Sequence, residues 1–143
     1  SYRMKWKQYY DAGDIILADR YTTSNMVHQA VKIEDRAERE KFLDWLWDFE
    51  FVKLALPVPD LVVFLDMDPL VSDRLIAARA QVQKQAEDIH ERDKSYLHHC
   101  HAAYVELAEK YGWQRVPCSS CGQPLPVEDI HAEVYAAVQR ILK

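Results

Sequence analysis

The chain has 143 residues, 49% of them hydrophobic and 29% charged, with a formal net charge of −5. That is long enough for one domain with a sizeable core, and the balance excludes a disordered chain. The acidic excess argues against a nucleic-acid polymer as partner, no apolar stretch approaches membrane-span length, and three cysteines are too few for a disulfide framework. These residues carry no signal peptide, so a reduced, cytoplasmic protein is expected.

In chain order, apolar residues at helical spacing predict a helix from Tyr2 to about Asp11, ended by Gly13. The apolar, β-branched run that stops at Asp19-Arg20 predicts a buried parallel strand over Asp14–Arg20. A helix from about Thr23 to Lys32 follows, then a charged turn, then a long helix from Ala37 to Leu56 with a wide apolar face. Its Trp45, Trp47, Phe49 and Phe51 span more than one face, and the first helix adds Trp6, Tyr9 and Tyr10. So much apolar surface predicts a homodimer, unless another segment covers the rings within one subunit. Pro57 and Pro59 break the helix and lead into a second strand, Asp60–Asp66. Asp68-Pro69 opens a helix through Arg79, and the polar stretch after it suits a mobile flap. A helix from Asp88 to Lys110 is ended by Gly112, and Gln114–Cys118 is a short third strand. A loop with Gly122, Pro124 and Pro126 precedes a last helix from about Val127 to Leu142. Strands separated by helical crossovers predict one α/β domain over 1–143, a parallel sheet with helices on both faces. Three such strands make a small sheet, like the later part of a larger one.

The chemistry-bearing residues gather where the first strand ends. Open α/β sheets bind ligands at the carboxyl ends of their strands, and Arg20 would present a rigid fork of donors there, suited to a phosphate. Ser24, Asn25 and His28 follow on the first turns of a helix, and Asn25 can both donate to and accept from a planar base edge. An anion grip beside a base reader suggests a nucleotide monophosphate site. Each residue also has a plainer use. Arg20 could neutralise Asp19 or Asp66, Asp19 could cap the following helix, and Arg79 could sit at a helix end where the dipole favours a cation. Asp88 and Glu91 are acids in a first helical turn, a common structural arrangement. The three glycines are scattered, so no phosphate-cradling glycine-rich loop lies within these residues. Cys118-x-x-Cys121 invites a zinc reading with His98, His99, Cys100 and His101. Consecutive helical residues point in different directions, however, and no metal site is expected.

Four stretches in order resemble the thymidylate kinase family over essentially the whole chain. They are Asp19-Arg20-Tyr21 with Ser24-Asn25; Leu56 through Asp66 with its Pro-Asp-Leu; Asp68-Pro69, Ser72 and Leu75 through Arg79; and Asp88-Ile89-His90-Glu91-Arg92-Asp93. The resemblance implies a three-layer fold of the P-loop NTPase type, of which these residues form the C-terminal portion. The strand, P-loop and helix with which the family begins are not among them, so the 143 residues by themselves are expected not to catalyse. The implied activity is transfer of the γ-phosphoryl group of ATP to dTMP, giving dTDP for dTTP biosynthesis, with Mg2+ bound mostly by phosphates. Arg20 would hold the acceptor phosphate with Ser24 beside it, Asn25 would read thymine, and Asp19 would lie near magnesium and phosphates. His28 stands where the family often has a tyrosine against the deoxyribose. Arg79 would act catalytically from a lid over about 79–90, closing on the ATP phosphates, while Asp88, His90 and Glu91 lie near sugar or metal. The loop from Cys118 and Ser119 to Gln123 corresponds to the adenine region. Another nucleoside or nucleotide kinase of the same fold, or a non-catalytic nucleotide-binding or interaction domain, are the other readings of the same residues.

Overall fold

Helix α1, Arg3–Asp11, is the first element of the structure, a computed structural model that describes residues 3–83 and 94–142. Two hydrogen bonds close it, from Gly13 N to Tyr10 O and from Asp14 N to Tyr9 O. Residues 14–18 are extended, yet they pair with no strand among the described residues, and Ile15 and Leu17 are 71% and 94% exposed. The expected strand Asp14–Arg20 is therefore not formed. A strand exists only through its neighbour, because its backbone N–H and C=O groups need a ladder.

Helix α2, Thr22–Ala30, buries Met26, Val27 and Ala30, the i, i+1, i+4 stripe of a helix set against two partners. Those partners are α3, Arg36–Trp47, and α5, Lys94–Tyr111. Leu43 and Leu46 from α3 and Cys100 and Leu107 from α5 complete one apolar cluster, flanked by Phe42, Tyr96, Tyr104 and Trp113. Asp35 caps α3 by accepting from Glu38 N at 2.9 Å. Arg39–Glu106 and Lys110–Glu40 ion pairs join α3 to α5 at the rim. The expected single helix over Ala37–Leu56 is instead α-helical to Trp47 and π-helical over Asp48–Lys53. Leu54 N bonds Phe49 O there, a wider turn than the α pattern, and Ala55 at φ +48° then ends it.

Strand β1, Val63–Asp66, pairs in parallel with β2, Gln114–Pro117, with Phe64 opposite Arg115 and Leu65 opposite Val116. Between them run α4, Pro69–Gln83, and α5, so the crossover is helical as expected. Gly112, at φ +66°, lets the chain turn out of α5, and Trp113 N reaches back to Ala108 O at 2.8 Å. Helix α5 packs on β1, where Phe64 stacks on Tyr104 with ring centroids 5.1 Å apart. Side chains alternate along a strand, so Val116 takes the opposite face, where it is fully buried and α6, Val127–Ile141, contacts β2. Two parallel strands, not three, are described. The loop expected after β2 contains a hairpin, β3 (Ser119–Ser120) with β4 (Gln123–Pro124). Cys121 and Gly122 form its turn with φ of +49° and +72°, the paired positive angles that suit a two-residue hairpin.

At the carboxyl end of β1, Asp66 is held between layers. His101 Nε2 lies 2.7 Å from its Oδ1, and Arg115 Nε donates to Oδ2 at 2.5 Å. Burial opposes ionisation of Asp66, but the hydrogen bonds from His101 and Arg115 outweigh it and hold the carboxyl below its ordinary value of 3.8. A carboxyl lowered in the folded state stabilises the fold above its unfolded value, and that contribution disappears as pH falls through the folded value. Asp66→Asn is therefore expected to cost about 1–3 kcal/mol at neutral pH. Urea unfolding curves of the two proteins should converge as the pH is taken beneath 3.8.

Candidate functional site

The extended segment 14–18 reaches α2 through a sharp corner. Arg20 occupies it at φ +67°, a conformation that a side-chain-bearing residue adopts at a cost of about 1–3 kcal/mol. Tyr21 then opens α2 in an extended conformation, and its hydroxyl donates to Pro57 O at 3.1 Å. This bond ties the corner to the segment beyond the π-helical turn. Arg20 is exposed, and its Nε donates to Ser24 Oγ at 3.3 Å, one helical turn on. Asp66 is engaged by His101 and Arg115, and Arg20 forms no ion pair among the described residues. Neutralisation of Asp66 is thus not what Arg20 does. Asp19 is exposed, where a buried sheet-edge acid was expected, and it does not cap α2, whose first turn receives no side-chain cap bond.

Asn25 and His28 follow on α2, one turn apart. Asn25 Nδ2 donates to Glu50 Oε1 at 3.1 Å, and Glu50 is 6% exposed within the π-helical turn. His28 Nδ1 lies 3.1 Å from Tyr96 Oη and 3.5 Å from Cys100 Sγ, while its ring meets Tyr104 edge-on. Burial and the neighbouring Cys100 push the Tyr96 phenol up to about 12, and the charge of Arg20 acts in the opposite sense. The phenol is therefore a neutral hydrogen-bonding group at neutral pH. Burial likewise raises the Cys100 thiol, leaving it a poor nucleophile. Thr22 Oγ1, at the first helical position, is buried without a partner among the described residues.

Arg20, Ser24, Asn25 and His28 therefore lie close together around the start of α2, with Arg20 and Asn25 exposed, His28 half-buried against Tyr96 and Cys100, Ser24 buried, and Asn25 bonded to Glu50. Glu50 was not anticipated, although the sequence held a signal. It falls on the stripe of Leu43 and Leu46, where a carboxylate is out of place unless it has a partner. The other expected residues are elsewhere or undescribed. Arg79 is exposed inside α4, which continues to Gln83, so the helix-end reading does not apply to it. Asp88, His90 and Glu91, with most of the expected lid, lie outside the described residues. Cys118 is buried at the end of β2, its thiol raised by burial and 3.4 Å from Val116 O. Ser119 Oγ accepts from Asp68 N at 3.0 Å, just before α4.

Of the histidine-rich run, His98 meets Asp73, Cys100 meets His28 and His101 meets Asp66, three separate directions from one helix. Among the described residues no three His, Cys, Asp or Glu converge on a point. Asp19, exposed beside Arg20, is a lone carboxylate of the kind magnesium takes together with substrate phosphates. A hollow of about 760 Å³ opens against Trp6, Tyr9 and residues 13–17, and one of about 480 Å³ lies between Val31, Arg39 and Glu106. Neither is lined by Arg20, Ser24, Asn25 or His28. No helix among the described residues is long and apolar enough to cross a membrane.

The chain is similar to a curated thymidylate kinase of Mycobacterium tuberculosis (strain CDC 1551 / Oshkosh), 34% identical over 101 residues, covering 70% of this chain and 46% of that one. It is 29% identical over 132 residues to a thymidylate kinase of Synechococcus sp. (strain RCC307), covering 92% of this chain and 55% of the relative. A probable thymidylate kinase of Metallosphaera sedula is 27% identical over 139 residues, covering 97% of this chain and 60% of its own. The chain thus spans about half the length of the curated relatives it matches. No family model matches it, and no solved structure matches it significantly.

Proposed function

Because the chain belongs to the thymidylate kinase family, we propose that the protein carrying it transfers the γ-phosphoryl group of ATP to dTMP. A phosphate oxygen of dTMP attacks the γ-phosphorus, the bond to the bridging oxygen breaks, and ADP leaves. Such a reaction asks little covalent chemistry of a protein and depends on positioning and charge neutralisation. The observation that carries the reading is the cluster around the start of α2, where exposed Arg20 bonds Ser24 and exposed Asn25 and half-buried His28 follow within two turns.

In this reading the exposed guanidinium of Arg20, steadied by Ser24, takes the acceptor phosphate. Asn25 reads the base and His28 lies along the sugar, its ring fixed by Tyr96 and Tyr104. Arg79, on the exposed side of α4, closes over the transferring group, with Asp88, His90 and Glu91 from the segment beyond. ATP places its adenine near Cys118 and Ser119, where backbone groups contribute most of the recognition. Magnesium neutralises phosphate charge when bound, and Asp19 is the carboxylate suited to approach it.

A homodimer belongs to the same proposal. Trp45, 51% exposed, stacks on Phe49, and Tyr9 and Tyr10 are about half exposed. Aromatic area of this size on one molecule marks an interface. Light scattering on the intact protein at micromolar concentration is expected to give twice the subunit mass, and a monomer mass would remove the dimer.

The intact protein is expected to phosphorylate dTMP in preference to dUMP, dCMP and dGMP in an assay of ADP release. Equal turnover of the four would end the proposal. Arg20→Ala should leave the melting temperature nearly unchanged, since an exposed cation at a corner contributes little to stability. Each lost charge-assisted hydrogen bond to phosphate should cost about 1.5–3 kcal/mol of dTMP binding, or roughly 10-fold or more in affinity. Calorimetric titration checks this, and unchanged affinity would take Arg20 out of the site.

A further inference from the structure

Glu50 is buried, charged and unused by any step above. It also sits in the π-helical turn, a local geometry often found at functional sites. Its carboxylate meets the side-chain amide of Asn25 at 3.1 Å, across 25 residues of sequence. We infer that Glu50 fixes which way round the Asn25 carboxamide is presented, and so makes this surface selective for a pyrimidine that carries a ring N–H. The inference rests on the reading of Asn25 as the base reader and names what that reader accepts.

A carboxylate has only acceptor sites, and a carboxamide has a donor end and an acceptor end. Turning Asn25 the other way would set its oxygen against the Glu50 oxygen, two acceptors with no hydrogen between them. The NH2 end therefore stays with Glu50, and Oδ1 is left for a ligand, on a residue that is itself exposed. An Oδ1 acceptor suits the ring N–H of thymine or uracil. Cytosine presents a bare ring nitrogen at the same place, again acceptor against acceptor. Once a bound base covers Asn25, a mismatched partner leaves its Oδ1 facing another acceptor without a hydrogen bond, and the site rejects it. Glu50 can enforce this because it does not move freely. Its backbone oxygen accepts from Leu56 N at 3.1 Å, and Tyr21 Oη holds the chain one residue further on at Pro57 O. Glu50 is thus a positioning residue, acting through Asn25 without touching the nucleotide.

The test is the ratio of kcat/KM for dTMP to that for dCMP, measured with the intact protein and with Glu50→Leu and Glu50→Gln. Leu removes the acceptor, so Asn25 can turn either way, and the ratio should fall at least tenfold. Gln can face Asn25 with oxygen or nitrogen and should lower the ratio about threefold. In both variants KM for dTMP should change more than kcat, since Glu50 acts through Asn25 on the base. The ratio for dTMP against dUMP should not move, because both bases carry the ring N–H. An unchanged dTMP/dCMP ratio in folded Glu50→Leu overturns the inference, as does equal loss on both substrates, which marks a purely structural carboxylate. Where Glu50→Leu does not fold, an unchanged ratio in Glu50→Gln overturns it instead. A wild-type protein that treats dTMP and dCMP alike defeats the proposed function itself, and the inference with it.

Discussion

The burial of one stripe of α2 is the constraint on which the rest depends. Met26, Val27 and Ala30 are almost wholly withdrawn from solvent between α3 and α5. Burying each large side chain is worth about 1.5–3 kcal/mol, and rotating α2 would expose the stripe. The helix therefore has one permitted orientation. That orientation points Asn25 at Glu50 and His28 at Tyr96, Tyr104 and Cys100 of α5, and sets Ser24 one turn from Arg20. These polar groups are held in place because the apolar stripe beside them is packed.

Around that fixed helix, polar contacts settle the details that packing leaves open. His28 is held by Tyr96 and ring contact with Tyr104, both from α5, the helix that also covers β1. Arg20 is pinned at its corner by Ser24 on one side and by the Tyr21–Pro57 bond next to it. The sheet end is organised separately, with Asp66 clamped by His101 from α5 and Arg115 from β2. Helix α5 serves both places, touching the α2 surface through Tyr96 and Cys100 and the strand end through His101. It is the structural link between the proposed acceptor side and the β1 and β2 ends near Cys118 and Ser119.

The extended segment before Arg20 stands apart from this economy. Ile15 and Leu17 are among the most exposed large apolar residues described, although their sequence reads as the interior of a sheet. A run of this composition is stable as a strand only when both edges and both faces find partners. Its apolar pattern records what the residues suit, and its present geometry records what lies beside them.

Much of the architecture was legible in the sequence. Helical spacing, the glycines that end α1 and α5, and the prolines before β1 placed the ends of α1 and α5, the helices α2 and α6 and the two paired strands within a few residues, while the helix expected to Leu56 is α-helical only to Trp47. Ser24 and His28 were legible as neighbours because helical spacing sets them one turn apart on α2, whereas Arg20 reaches Ser24 from a corner before the helix. Three things were decided by tertiary structure. Strand formation at 14–18 depends on a partner, which no local pattern can provide. The change from α to π at Asp48 comes where the chain leaves α3 for the segment whose Pro57 meets Tyr21, and no local pattern announces it. The pairing of Glu50 with Asn25 joins residues 25 apart, and only packing of α2 on α3 brings that carboxylate to the one amide it can satisfy. The sequence by itself determined which surfaces are apolar, and so which helices can form. The fold decided which polar groups meet, since a hydrogen bond needs two partners at about 3 Å and spacing along a chain fixes only one of them.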